Sequence, residues 1–259
     1  MLNFLHIEED GDLMINNKAI LLASFGSTNM SVMNNIMIPF EKYIKMNFED
    51  YYVISGYINS KIKDNSLSSS LEILIDRGFK ELIVQPTFME NGESYNKVKE
   101  EVLKYANHFN SIKFSNTLIN SKSDITEFFN FISSHFNHLN KNQGVVCVAH
   151  GINMDNNSSA IYDKLMISNN IYIGYLKDLK RQNEIIKIAK ESKLKEVFLF
   201  PLLNLPGYHL DNDINGEKNS WRSKFEEENI KVHCIKTGLL EYSEIREMYV
   251  NHIKILDSF

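Results

Sequence analysis

Two stretches decide how this chain folds: residues 144–151, GVVCVAHG, and residues 196–213, EVFLFPLLNLPGYHLDND. In each, apolar and β-branched residues follow one another as in a buried strand, until Gly, Pro and Asn break the run into a loop. Each loop carries one histidine, His150 and His209. In open α/β sheets ligands bind beyond the carboxyl ends of the strands, so these two imidazoles are the first candidates for chemistry. A lone loop histidine is more often a structural hydrogen bonder, but two at equivalent positions point to a site.

Working outward, residues 19–24 (AILLAS) read as a buried strand closing in Phe25-Gly26-Ser27-Thr28. The spacing of Val32, Ile36, Phe40 and Ile44 predicts a helix over 29–45, and 51–54 is a second strand. Residues 66–76 start on serines and stop at Arg77-Gly78, as a helix should. A strand at 81–85, a helix over 95–106 and a strand at 112–115 complete the first half. After Ser121 the pattern repeats, with helices near 124–137, 158–166, 182–192 and 221–228. Strands at 145–148, 171–175, 197–202 and 232–235 alternate with them. The expected fold is α/β: two similar lobes, each a parallel sheet covered by helices, with a cleft between them.

The halves also match in detail. AILLASFGS parallels GVVCVAHGI, and KELIVQP (80–86) parallels KEVFLFP (195–201), which aligns Phe25 with His150. Ser94 lies eight residues past Pro86 and His209 eight past Pro201, so Ser94 and His209 align as well. The cleft should then be lined by the loops after the first and third strands of each half, with the histidines in the second half.

A length of 259 residues allows one large or two modest domains, and 43% hydrophobic content is ordinary for a globular protein. A net charge of -5, without a basic stripe, argues against nucleic acid or an anionic membrane surface as partner. Residues 1–17 read as an acidic extension without the marks of a signal peptide, and no segment is apolar enough to span a bilayer. The expected location is the cytoplasm. Cys147 and Cys234 fit no ligand spacing and read as buried small hydrophobes. Neither GxGxxG nor a Walker lysine follows the first strand, and GxSxG and HExxH are absent. The turn at Ser24–Thr28 leaves anion binding at a helix N-terminus open.

Neutral imidazole is both a ligand for divalent transition metals and a proton acceptor, so His150 and His209 could hold a metal or act as a base. Asp211 and Asp213 could orient His209, although Asp213 fits a helix cap equally well. Trp221 reads as a helix anchor. His6, His108, His135, His138, His233 and His252 read as structural.

AILLASFGST (19–28), FMENGESYNKV (88–98), VCVAHG (146–151) and GYHLDNDINGEKNSWRSKFEEENI (207–230) together resemble the anaerobic cobalt chelatases of cobalamin biosynthesis, class II chelatases acting on sirohydrochlorin. The resemblance runs from Lys18 to the C-terminus. It implies a first lobe at 18–120, joined by a last helix within 242–259, and a second lobe at 121–241. It implies a divalent metal as substrate, Co²⁺ foremost with Ni²⁺ or Fe²⁺ as alternatives, no organic cofactor, a tetrapyrrole partner, and leaves a homo-oligomer open. His150 resembles the family's catalytic and metal-binding histidine, and His209 its partner ligand. Ser24, Phe25, Ser94 and Lys177 are the positions expected against the ring. The family's two acidic site residues fall here at Lys177 and Ser94, and a protonated lysine cannot replace a carboxylate ligand. Asp178 and Glu93 stand beside them. The departure leaves a second reading open, a tetrapyrrole or haem binder on the same fold that does not insert metal.

Overall fold

The computed structural model describes residues 17–150 and 170–258. The extension expected over 1–17 and the helix expected near 158–166 lie, but for Asn17, outside the described residues. In chain order the first half comprises β1 (Lys18–Ser24), α1 (Met30–Val32), a wide π turn, π1 (Met33–Met37), α2 (Ile38–Asn47), β2 (Tyr52–Tyr57), α3 (Leu67–Asp76), β3 (Glu81–Pro86), α4 (Glu93–Leu103) and β4 (Ser111–Phe114). Then come α5 (Lys122–His135), β5 (Gln143–Ala149), β6 (Ile171–Tyr175), α6 (Leu179–Glu191), β7 (Glu196–Leu202), a second π turn, π2 (His209–Ile214), α7 (Trp221–Glu227), β8 (Lys231–Cys234) and α8 (Ser243–Asp257).

All pairings are parallel, and the two four-stranded sheets share one order, β2-β1-β3-β4 and β6-β5-β7-β8. The register repeats residue by residue: Ala23 faces Pro86 as Val148 faces Pro201, and Ser24 faces Tyr57 as Ala149 faces Tyr175. Beyond the strands the backbone bonds repeat too. Ile58 N–H donates to Ser24 O as Leu176 N–H donates to Ala149 O, both at 3.0 Å, and Leu118 N–H donates to Phe88 O as Leu239 N–H donates to Leu203 O. This skeleton aligns Phe25 with His150, as the sequence pattern does.

Strand alternation sorts side chains into layers. Ile20 and Leu22 of β1, and Val145, Cys147 and Ala149 of β5, enter one core that spans both halves. Ala19, Leu21 and Ala23 face an outer core under α3 and α4, and Val146 and Val148 face the other outer core under α6 and α7. The shared core is closed by α5, which follows β4 and packs on the second sheet, and by α8, which follows β8 and packs on the first half. Phe131 and His135 of α5, and Phe136 at its C-cap, lie against Phe200 of β7. On α8, Tyr249 meets Phe40 of α2 edge-on at 5.6 Å, Glu247 accepts from Tyr43, and Asp257 accepts from Tyr51. Where the two helices meet, His252 Nε2 lies 3.1 Å from Asp124 Oδ1, with both residues buried.

Several details differ from the expected elements. The helix over 29–45 is interrupted by π1, next to Pro39. A proline lacks the N–H for the i−4 carbonyl and crowds it, and a wider turn gives the ring room. Residues 209–214, expected as loop, also form a π turn. Cys234 is only half-buried, whereas Cys147 is fully enclosed and burial pushes its thiol far up.

Candidate metal centre

His150 is the first residue after β5, and His209 opens π2 after the loop that leaves β7. Because β5 and β7 are neighbours in register, with Ala149 opposite Leu202, both loops rise from the same edge of the second sheet. The two rings meet edge-on, centroids 4.6 Å apart, with Nε2 to Nε2 at 3.0 Å. Asp213 Oδ2 lies 2.6 Å from His209 Nδ1, one turn along π2. A carboxylate only accepts, so Nδ1 of His209 donates, and in the neutral imidazole that leaves Nε2 with the lone pair a cation needs. One proton lies between the two Nε2 atoms, at the place where a cation would sit. Asp213 therefore orients the imidazole, while the helix cap it could have supplied is provided instead by Ser220, whose hydroxyl accepts from Ser223 N–H at the start of α7.

The geometry fits a metal. With imidazole–metal bonds of about 2.0–2.1 Å, as for zinc, two nitrogens 3.0 Å apart subtend roughly 90°, the angle between neighbouring positions of an octahedral or square ion. Among the described residues no cluster of three His, Cys, Asp or Glu side chains surrounds this point. Two donors hold a cation while leaving its other positions open. Partial burial, then the neighbouring His209, then the Lys177 ammonium lower the His150 pKa, and Asp213 opposes them. His150 is thus neutral, and able to ligate, at a lower pH than an ordinary imidazole.

Lys177 owes its place to the edge of β6. Leu176 is tied to Ala149 O, so the next residue emerges beside His150, exposed, with its charge felt by the ring. Gly174 supports this edge: a Cβ there would meet Cη2 of Trp221 at 2.3 Å, and the indole N–H donates to Tyr175 O at 3.3 Å. Trp221 is buried, in keeping with its reading as an anchor. Asp178 does not serve as the missing carboxylate, since its Oδ1 caps α6 by accepting from Arg181 N–H at 2.9 Å. Glu93 is exposed and paired with Lys97 at 2.7 Å.

The remaining candidates stand on the first half. Ser24 is buried, and its Oγ accepts from Gly26 N–H. Gly26 has φ +76° and sits against Tyr57 and Ile62, where a Cβ would collide. That turn leaves Phe25 55% exposed. Ser94 lies half-exposed in the first turn of α4. Among the described residues the hydrogen bonds and ring contacts of the two imidazoles run to each other, to Asp213 and to Tyr208, not to Ser24, Phe25 or Ser94. Tyr208, to which the sequence pattern assigned nothing, is 73% exposed, its ring edge-on to His209 at 5.8 Å. Its only signal is adjacency to a candidate ligand.

The model of the cobalt chelatase family CbiK matches residues 18–256. The chain belongs to that family. It is similar to the sirohydrochlorin cobaltochelatase of Salmonella typhimurium, 23% identical over 91% of this chain and 95% of that one. It is also similar to the sirohydrochlorin cobaltochelatase CbiKC of Nitratidesulfovibrio vulgaris, 21% identical over 93% of this chain and 91% of the relative. Among solved structures, SirB from Bacillus subtilis with Fe³⁺ shares the fold, with a TM-score of 0.67 at 15% identity over 92% of this chain and 94% of SirB.

Proposed function

We propose that this chain is a metallochelatase that inserts a divalent metal, Co²⁺ foremost, into sirohydrochlorin. The observation that carries the reading is the imidazole pair at 3.0 Å, oriented by Asp213, in a chain that matches a cobalt chelatase family along nearly its whole length. The metal is substrate. Insertion replaces two pyrrole N–H protons by one M²⁺, so the site must present the cation loosely and accept two protons. His209, held by Asp213, serves as the steadier ligand. His150, its pKa lowered by its surroundings, gives up its metal bond readily, takes the two pyrrole protons one after the other and passes each to solvent. Lys177 pairs with a carboxylate arm of the ring, and Ser24, Phe25 and Ser94 line the opposite side of the cleft. Among the described residues no helix is long and apolar enough to cross a membrane. We place the reaction in the cytoplasm.

A second reading, a tetrapyrrole or haem carrier, is favoured by one observation: among the described residues the carboxylates next in sequence to Lys177 and Ser94 are engaged elsewhere, Asp178 as a cap and Glu93 in an ion pair. Optical spectra of the protein with sirohydrochlorin, with and without Co²⁺, separate the two. The chelatase gives a time-dependent band shift faster than the protein-free control. A carrier gives an immediate shift that Co²⁺ does not advance.

A further inference from the structure

The loop that delivers His209 is fastened from both halves of the molecule. From its own half, Leu239 N–H donates to Leu203 O at 2.8 Å and Leu240 N–H to Asn204 O at 3.3 Å. Gly238 lets that approach happen, because a Cβ there would lie 2.7 Å from Asn204 O and 2.6 Å from Pro206 Cδ. From the other half, the Asn204 carboxamide donates through Nδ2 to Thr87 O and to the Tyr249 hydroxyl, each at 2.8 Å. The Tyr249 hydroxyl in turn donates to Phe88 O at 3.1 Å, and full burial keeps it protonated by pushing its pKa far up. Thr87 continues the line, its N–H and Oγ1 both donating to Ala23 O, one residue before Ser24 and two before Phe25. A single side chain thus connects the His209 loop, the loop after β3 and the turn after β1.

Two observations mark this contact as more than packing. Asn204 Oδ1 is buried without a hydrogen-bond partner among the described residues, a cost that an apolar side chain of similar size would avoid. The backbone skeleton also provides a control: Ile119 N–H donates to Met89 O as Leu240 N–H donates to Asn204 O, so the first half carries methionine at the equivalent place. Among the described residues it is the loop bearing His209, and not its counterpart, that sends a polar side chain across at this place.

We propose that Asn204 is a positioning residue that sets the gap between the imidazole pair and the first-half rim at Phe25, and hence how the ring is received. The proposal rests on the chelatase reading for its kinetic consequence, but its geometry can be tested without substrate. In the full chain with Cys234→Ser, spin labels at Phe25→Cys and Tyr208→Cys report the distance across the gap. Adding Asn204→Leu should shift or broaden that distance distribution, and an unchanged distribution overturns the proposal whether or not the protein is a chelatase. In the unlabelled protein, Asn204→Leu should raise KM for sirohydrochlorin about tenfold, since small misplacements in a reactive geometry are costly. Co²⁺ affinity, set within the second half, should stay within about twofold. An unchanged KM, or KM, Co²⁺ affinity and melting temperature moving together, refutes a positioning role. Tyr249→Phe, which removes one hydroxyl and keeps the bond to Thr87, should raise KM in the same sense by less; an unchanged KM in that variant counts against the strap even if Asn204→Leu does not fold. Failure of the wild type to insert cobalt above the protein-free rate sinks the chelatase reading alone.

Discussion

The two halves of this molecule share strand order, register and loop fastenings, yet only one of them carries the imidazole pair. At equivalent places after the first strand stand Phe25 and His150, the first an exposed aromatic ring, the second an imidazole whose pKa is lowered by its surroundings. At equivalent places after the third strand stand Ser94, in an ordinary α-helix, and His209, at the head of a π turn with Asp213 behind it. The skeleton repeats the rim, and side chains make one copy an imidazole pair that would hold a cation and the other an exposed aromatic ring that would meet a flat apolar surface. A ring between them would have a metal delivered to one face and support on the other.

The sharpest way to break that division of labour is His150→Ala. Insertion should fall to the protein-free rate, while the melting temperature changes little, because an exposed loop residue carries at most about 0.5 kcal/mol. Phe25→Ala on the other rim should instead raise KM and leave Co²⁺ affinity alone. Steady-state kinetics beside metal titration read both, and turnover near wild type in the His150 variant removes its role. Next in size is Asp213→Asn, which keeps the shape and loses the acceptor that fixes the His209 tautomer. Co²⁺ affinity should drop about 10–100-fold, the usual effect of losing the group that orients a metal-bound histidine. An unchanged affinity by calorimetry returns Asp213 to a capping role.

Smaller again is Lys177→Glu. Exposed charges are worth about 0.2–1 kcal/mol, so free Co²⁺ should bind up to about fivefold tighter and the polycarboxylate ring up to about fivefold weaker. No change in either affinity would place the ammonium outside the cleft. The finest effect is on titration. The His150 resonance of the wild type should titrate below the ordinary imidazole value of about 6.5, and Lys177→Met should move it upward by removing a like charge. The sign for stability follows: with the folded pKa depressed, the unfolded chain binds more protons, so stability falls as pH drops through about 6.5 toward the folded value. Urea midpoints of wild type and His150→Ala, nearly equal at neutral pH, should therefore separate on acidification with the wild type falling below the variant, and parallel curves would contradict the lowered pKa.

Much of this arrangement is visible in sequence because buried parallel strands write themselves as uninterrupted apolar runs. The breaks after Ala149 and Leu202 locate both histidines, and the pairing of KELIVQP with KEVFLFP reveals the register before any coordinate does. What is not visible depends on distance or on turn width. Asp213 reads equally as cap or orienter until π2 fixes which side of the turn it shares with His209. Asn204 carries no signal at all, since its acceptor Thr87 lies 117 positions away. The π turns have no compositional mark beyond a neighbouring proline in one of them. Tyr208 is an unremarked aromatic until its exposure beside His209 is seen. Asp178 and Glu93 look available as carboxylates in sequence, and only their bonds to Arg181 N–H and Lys97 show them engaged elsewhere.

The crossing of α8 to the first sheet also has a consequence for synthesis. Tyr43 and Tyr51 wait for acceptors on Glu247 and Asp257, more than 200 positions later in the chain. While the ribosome is still making the second half, Phe40 of α2 lacks the cover of Tyr249, and exposed apolar surface of that kind is where nascent chains associate wrongly. Loop closure over such a span is slow, so the first half finishes folding last although it emerges first. A chain released at Tyr242, with its sheets complete, should accumulate as aggregate, and adding back a peptide spanning residues 243–259 during translation should recover soluble protein.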